Sequence, residues 1–223
     1  VFVKRHYAKD GRGYYSYETL SDTEKKSLYG TPEGRLRPFI EEYGDLAGYQ
    51  DGDSFFDAGC GRGQNTKVLL ETFPNSSVLA MDYSAEAVSV IDLAAATPRL
   101  RTQSADLTDP AVLTSVADNS WDHIVMSHVL SVLLGDGIEA TQSLRRRVIG
   151  ELSRIARKTV LIIDSPSIVS PDTRFEIEQR DRGSLTGSIL PICDTLPVQT
   201  VTVSHGASVS VLLRIKRETT AAD

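Results

Sequence analysis

Phe55-Phe56-Asp57-Ala58-Gly59-Cys60-Gly61-Arg62-Gly63 runs from a buried strand into a glycine-rich turn and on into a segment of helical pattern. Glycines at alternate positions let the backbone take positive φ and approach a ligand closely. The helix that follows offers unpaired N–H groups at its start. A tight strand-to-helix turn needs one such glycine and seldom three, so the stretch reads as a binding loop for a nucleotide-like cofactor. The dinucleotide pattern G-x-G-x-x-G would put glycine at position 64, where this chain has Gln64. Asp57, two residues before the first glycine, would repel a pyrophosphate and favour an ammonium or sulfonium group.

Outward from this loop, short apolar runs alternate with longer helical segments, which predicts βαβ units and a parallel sheet. Strands are predicted at Ser54 to Asp57, Ser77 to Met81, Arg99 to Ser104, Trp121 to Ser127 and Thr159 to Asp164. Helices are predicted near Gly63 to Phe73, Ala85 to Ala96, Pro110 to Ala117 and Gly137 to Arg157. In the last of these, Val148, Ile149, Leu152, Ile155 and Ala156 recur at three- and four-residue steps, and the basic run Arg145-Arg146-Arg147 reads as a solvated face. Val198 to Ser204 and Ser208 to Lys216 flank His205-Gly206 and read as a β-hairpin.

The residues before the loop, 1–53, read as a helical leader, with a short helix at Pro38 to Tyr43 ended by Gly44. Residues 54–223 read as one α/β domain, within which 166–197 is a variable insertion suited to covering a substrate. With 223 residues, 40% hydrophobic and 24% charged, the chain has the composition of an ordinary globular domain rather than a disordered one. No apolar run approaches the roughly 20 residues of a membrane-spanning helix, and no secretory signal pattern opens the chain, so a cytoplasmic protein without a membrane partner is expected. A net charge of -6 disfavours a polyanionic partner such as DNA. Cys60 and Cys193 lack any paired or metal-binding spacing and read as free thiols.

Two further carboxylates fall at strand ends. Asp82 closes the second strand, where it can accept both hydroxyls of a ribose, and Asp106 ends the third, where it can accept an adenine amino group. With these positions the sequence resembles the class I S-adenosylmethionine-dependent methyltransferases. Asp57 to Gly63 match their glycine loop, Asp82 and Asp106 their later acidic positions, and Trp121-Asp122-His123-Ile124-Val125-Met126-Ser127 their fourth strand. The resemblance spans about Ser54 to Asp164. It implies a Rossmann-like, doubly wound, seven-stranded, mostly parallel sheet with an antiparallel C-terminal hairpin, and the cofactor across the carboxyl ends of the strands. By position, Asp57, Gly59, Cys60, Gly61 and Gly63 would bind the methionine portion, Asp82 the ribose, Tyr83 the adenine face, Asp106 and Leu107 the base, and Ser127 would contribute from the fourth strand.

Methyl transfer needs alignment of the nucleophile, exclusion of water and, for a hydroxyl or ammonium acceptor, removal of a proton. His128 follows the strand end that faces the methyl group in this fold, and imidazole titrates near neutral pH, so it is the candidate base. Tyr14, Tyr15 and Tyr17 are candidate substrate contacts from the leader. Met126-Ser127-His128-Val129 lacks the Asn/Asp-Pro-Pro-aromatic motif of enzymes that methylate base amino groups, no Pro-Cys dipeptide supplies a pyrimidine nucleophile, and Ser127-His128 adds no carboxylate beside Asp164 for a magnesium site. The expectation is methylation of an oxygen or nitrogen on a small molecule, a sugar or natural-product intermediate, without a metal. The rivals are a protein or RNA acceptor, a nonenzymatic cofactor-binding partner subunit, and a nicotinamide oxidoreductase, against which Gln64 and Asp57 count.

Overall fold

In chain order the elements are α1 (Leu36–Ala47), β1 (Ser54–Ala58), α2 (Gln64–Thr72), β2 (Ser77–Asp82), α3 (Ala85–Ala94), β3 (Leu100–Ser104), α4 (Pro110–Thr114), β4 (Trp121–Ser127), α5 (Ile138–Ile155), β5 (Ala156–Asp164), α6 (Leu185–Cys193), β6 (Val198–His205) and β7 (Ser208–Ile215). The computed structural model describes residues 36–94, 97–130, 133, 135, 138–164, 185–205 and 208–216. The seven strands form one sheet in the order β3-β2-β1-β4-β5-β7-β6. β1 through β5 pair in parallel, and β7 runs antiparallel to both of its neighbours, β5 and β6.

Each central strand is apolar on both faces, as a parallel sheet covered by helices on both sides requires. Phe56, Met81, Ile124, Met126, Val160, Ile162 and Leu213 pack under α5 and α6. Phe55, Val78, Val125, Leu161 and Leu212 turn the other way, toward α1 and α2. Leu36 and Phe39 of α1 are fully buried in that second cluster, so α1 shares one core with the sheet.

Three local expectations need correction. The first helix does not stop at Gly44. It runs to Ala47 and ends at Gly48, whose φ of 69° lets its N–H reach Asp45 O at 3.1 Å while Tyr49 N–H bonds Gly44 O at 3.2 Å, a Schellman arrangement. The long helix stops at Ile155 rather than Arg157, because pairing of Trp121 with Ala156 draws the next residues into β5. Part of the segment read as a loose insertion is helical, α6, despite Gly187 and an internal Pro191; Ile189, Ile192 and Cys193 are buried in the core, and that burial outweighs propensity.

A fourth correction concerns the basic run of α5. Arg145 is fully buried, on the same helix face as Thr141, Val148 and Ile149, whereas Arg146 is exposed. Arg147 donates to Thr108 O at 2.7 Å, and Arg154 donates to Leu113 O and Val116 O, closing the carboxyl end of α4. These arginines lock α5 to the β3–α4 side rather than merely facing water.

At the amino ends of the strands lies a closed polar network. The ring of His123, fully buried, bonds Asp53 Oδ2 through Nε2 at 2.9 Å and Thr159 Oγ1 through Nδ1 at 2.7 Å, and packs edge-on against Tyr49. Lys158 Nζ donates to Asp53 Oδ1 at 2.5 Å. Burial holds the His123 pKa below its usual value, with Asp53 opposing, so the ring is neutral at pH 7. This histidine is a staple between the β1 approach, β4 and β5. His123→Ala is expected to lower unfolding free energy by about 2–4 kcal/mol by leaving Asp53 and Thr159 with unfilled partners. Denaturant unfolding reads the loss, and a change under about 0.5 kcal/mol would contradict the assignment.

Candidate functional site

The carboxyl ends of β1, β2, β3, β4 and β5 meet at the edge where the strand order reverses between β1 and β4. The glycine loop follows β1. Gly59, Gly61 and Gly63 have φ of 81°, 53° and 82°, so all three positions use the left-handed region that the sequence pattern implied. Gly59 N–H and Cys60 N–H both donate to Met81 O, at 2.8 and 2.9 Å, which seats the loop on β2. A Cβ at Gly59 would lie 2.2 Å from Val129 Cγ2, and one at Gly63 would lie 2.8 Å from Ile91 Cγ1. Gly63 is the N-cap of α2 and gives it no side-chain cap. The first turn of that helix is therefore left to other acceptors.

Asp57 is fully buried beneath the loop. Its Oδ2 accepts the Thr66 hydroxyl at 2.6 Å, and its Oδ1 has no hydrogen-bond partner. Burial pushes this carboxyl up to about 7, the charge of Asp82 adds to the rise, and the Thr66 bond opposes it. Asp82 sits across the loop, accepting Gly61 N–H on Oδ2 at 2.9 Å and Ser84 N–H on Oδ1 at 3.0 Å. Burial raises its pKa against those backbone bonds. Each carboxylate oxygen has two acceptor sites, so Asp82 can shape the loop and still receive hydroxyls. Burial disfavours the charged form of both carboxyls flanking this loop, so a cation or hydroxyl donors placed there would favour their ionised forms.

The structure also places the other candidates named from the sequence. Tyr83 follows Asp82 and is exposed. Asp106 Oδ1 accepts both Thr108 N–H, at 2.9 Å, and the Thr108 hydroxyl, at 2.8 Å, an Asx turn that fixes the β3–α4 loop. Leu107 is buried in the core beneath that loop, and the Cys60 thiol is buried, with its pKa pushed well up by that burial. Ser127 is half-buried at the end of β4. Tyr14, Tyr15 and Tyr17 lie outside the described residues.

His128 leaves β4 with φ 55°, its N–H bonded to Ile163 O at 2.8 Å and its Nδ1 3.3 Å from Asp164 Oδ1. Val129, next in sequence, fills the space beside Gly59, so His128 stands between the glycine loop and the end of β5. The sequence points to His128 but not to its partner. The signal for Asp164 is its place at the end of the strand next to β4, and that needs the strand order to be known.

Sheet order and the left-handed glycine loop after β1 together define a Rossmann-like fold of the methyltransferase type. Residues 56–149 match the family model described as a methyltransferase domain. Among solved structures, a SAM-dependent methyltransferase from Aquifex aeolicus is similar with 17% identity and a TM-score of 0.63, over 91% of this chain and 98% of that one. Geranyl diphosphate C-methyltransferase from Streptomyces coelicolor, solved with Mg2+, geranyl diphosphate and S-adenosyl-L-homocysteine, is similar with 15% identity and a TM-score of 0.57, over 82% and 81% of the two chains. The YcgJ protein from Bacillus subtilis gives 10% identity and a TM-score of 0.58, over 80% and 98%. Comparison with curated proteins gives no match.

Proposed function

We propose that this protein transfers the methyl group of S-adenosylmethionine to an oxygen or nitrogen of a small-molecule acceptor. The observation that carries the donor assignment is Asp57: a fully buried carboxylate with an unpartnered oxygen under a glycine loop suits a cationic ligand and repels a pyrophosphate. Bound there, S-adenosylmethionine supplies a methyl carbon made electrophilic by the sulfonium sulfur. Asp57 and the loop from Gly59 to Gly63, Cys60 and Gly61 included, would hold the methionine end, and Asp82 would accept the ribose hydroxyls. Tyr83, Asp106 and Leu107 would border the adenine, and Ser127 would line the cofactor from β4. The acceptor would approach past His128, which takes its proton. A net charge of -6 supports a small acceptor over a nucleic acid. Among the described residues no helix is long and apolar enough to cross a membrane.

Calorimetric titration tests the donor. Micromolar binding of S-adenosylmethionine and S-adenosylhomocysteine is expected, with none for NAD. Asp82→Ala is expected to weaken both by about 100-fold, the loss of two charge-assisted hydrogen bonds. NAD binding tighter than that of the sulfur nucleosides would sink the reading. Incubation with labelled donor and acceptor pools of hydroxyl and amine compounds then tests the acceptor class.

A further inference from the structure

We infer that Asp164 is the positioning residue for His128, selecting the Nδ1–H form of its ring so that Nε2 accepts the proton of the group being methylated. The assignment rests on the methyl-transfer reading above and narrows it, because a built-in base serves an acceptor that has a proton to lose, a hydroxyl or an ammonium group.

Four observations converge on this pair. β4 and β5 are parallel neighbours in register at Ser127 and Ile163, so the next residues of the two strands, His128 and Asp164, stand side by side. His128 Nδ1 lies 3.3 Å from Asp164 Oδ1; that carboxylate is buried, and the His128 ring is partly exposed at its rim while its Nε2 is covered. His128 and Asn119 are the only non-glycine residues with positive φ among the described residues. Any non-glycine residue at positive φ is held there at some cost, and His128 is fixed at φ 55° by the bond from its N–H to Ile163 O. Finally, Val129 abuts the glycine loop at Gly59, which sets the strained residue beside the cofactor loop rather than at a remote turn. Asp164 lies beyond residues 56–149, the part of the chain that matches the family model.

The tautomer follows from electrostatics. A carboxylate beside Nδ1 repels a lone pair there and attracts an N–H, so the proton sits on Nδ1 and the lone pair on Nε2. Other charges at this end of the sheet are Asp57, Asp82 and Asp106 at the strand ends, and Arg145 is buried midway along α5. In the step itself the acceptor's O–H or N–H bond breaks as Nε2–H forms. The electron pair left on the acceptor atom takes the methyl group, and the carbon–sulfur pair stays on sulfur. The ring becomes an imidazolium stabilised by the Asp164 carboxylate, and its proton then passes to water.

Nitrogen-15 NMR of histidine-labelled protein tests this without knowing the acceptor, with His128→Gln used to assign the resonance. The neutral ring is expected to carry its proton on Nδ1, and Asp164→Asn is expected to lower the His128 pKa by about one unit. A proton on Nε2 in the wild type, a result that depends on no variant folding, would overturn the assignment, as would a pKa unmoved in a folded Asp164→Asn. Absence of S-adenosylmethionine binding to the wild-type protein would instead remove the methyl-transfer reading on which the base role stands.

Discussion

Gly59→Ala is expected to abolish measurable cofactor binding and to cost about 3 kcal/mol of stability, since it adds both backbone strain and an overlap. At φ 81° an alanine is strained whatever surrounds it, and its Cβ would sit 2.2 Å from Val129 Cγ2. Val129 cannot retreat easily because it is buried and its neighbour His128 is tied to Ile163. The two costs can be separated. Gly48 has a similar φ of 69° but nothing within 4 Å of its would-be Cβ, so Gly48→Ala should lose only about 1 kcal/mol, the strain alone. Adding Val129→Ala to Gly59→Ala should recover part of the remainder, measured as a coupling energy in urea unfolding. Wild-type affinity for S-adenosylmethionine in Gly59→Ala would show that the loop does not bind it.

The second large effect has opposite signs for stability and for binding. Asp57→Asn is expected to remove most cofactor affinity, about 100-fold or more, because on the proposed function it deletes a buried carboxylate that would face the sulfonium donor. The same change should stabilise the empty protein. With the Asp57 pKa near 7 in the folded state against about 4 unfolded, the native form binds the proton more tightly. Wild-type stability contributed by this group is therefore full below about pH 4, falls as pH rises to about 7, and is level above that. Asparagine has no such dependence, so its advantage should grow from pH 4 to pH 7 and reach about 1–3 kcal/mol, less than the full shift because its amide N–H lacks a partner. Urea unfolding at pH 5 and pH 8, with calorimetry at pH 8, reads both. Equal stability of the two proteins at pH 8 would mean that Asp57 is not held ionised at a cost. For the wild type, affinity for the cofactor should also weaken as the pH drops below 7.

Much of this is legible in the chain. Trp121 to Ser127 has clear bounds because β4 is buried on both faces and stops at a polar residue, and the three alternate glycines announce a turn with positive φ. Arg145 departs from the solvated-face reading although a signal for its burial exists: it precedes Val148 and Ile149 by three and four residues and so belongs to their helix face. Charge type argues for water and periodicity for the core, and periodicity prevails. α6 carries Gly187 and Pro191 against any local helix reading, and only its burial against the sheet decides the outcome. The pairing of His128 with Asp164 is of another kind. Both residues are visible, 36 positions apart, but no local pattern reports that their strands are adjacent.

The position of β7 bears on how the chain is made. The strand built from residues 208–215 does not sit at the rim; it wedges between β5 and β6, pairing Val160 to Ile163 with Ser210 to Leu213. Until those residues leave the ribosome, β5 offers an open edge of Val160, Leu161, Ile162 and Ile163, an uncharged run suited to pairing with another chain. Vectorial synthesis therefore leaves this edge of β5 unpaired until β7 has been made. A chain broken before residue 208 would keep that edge open.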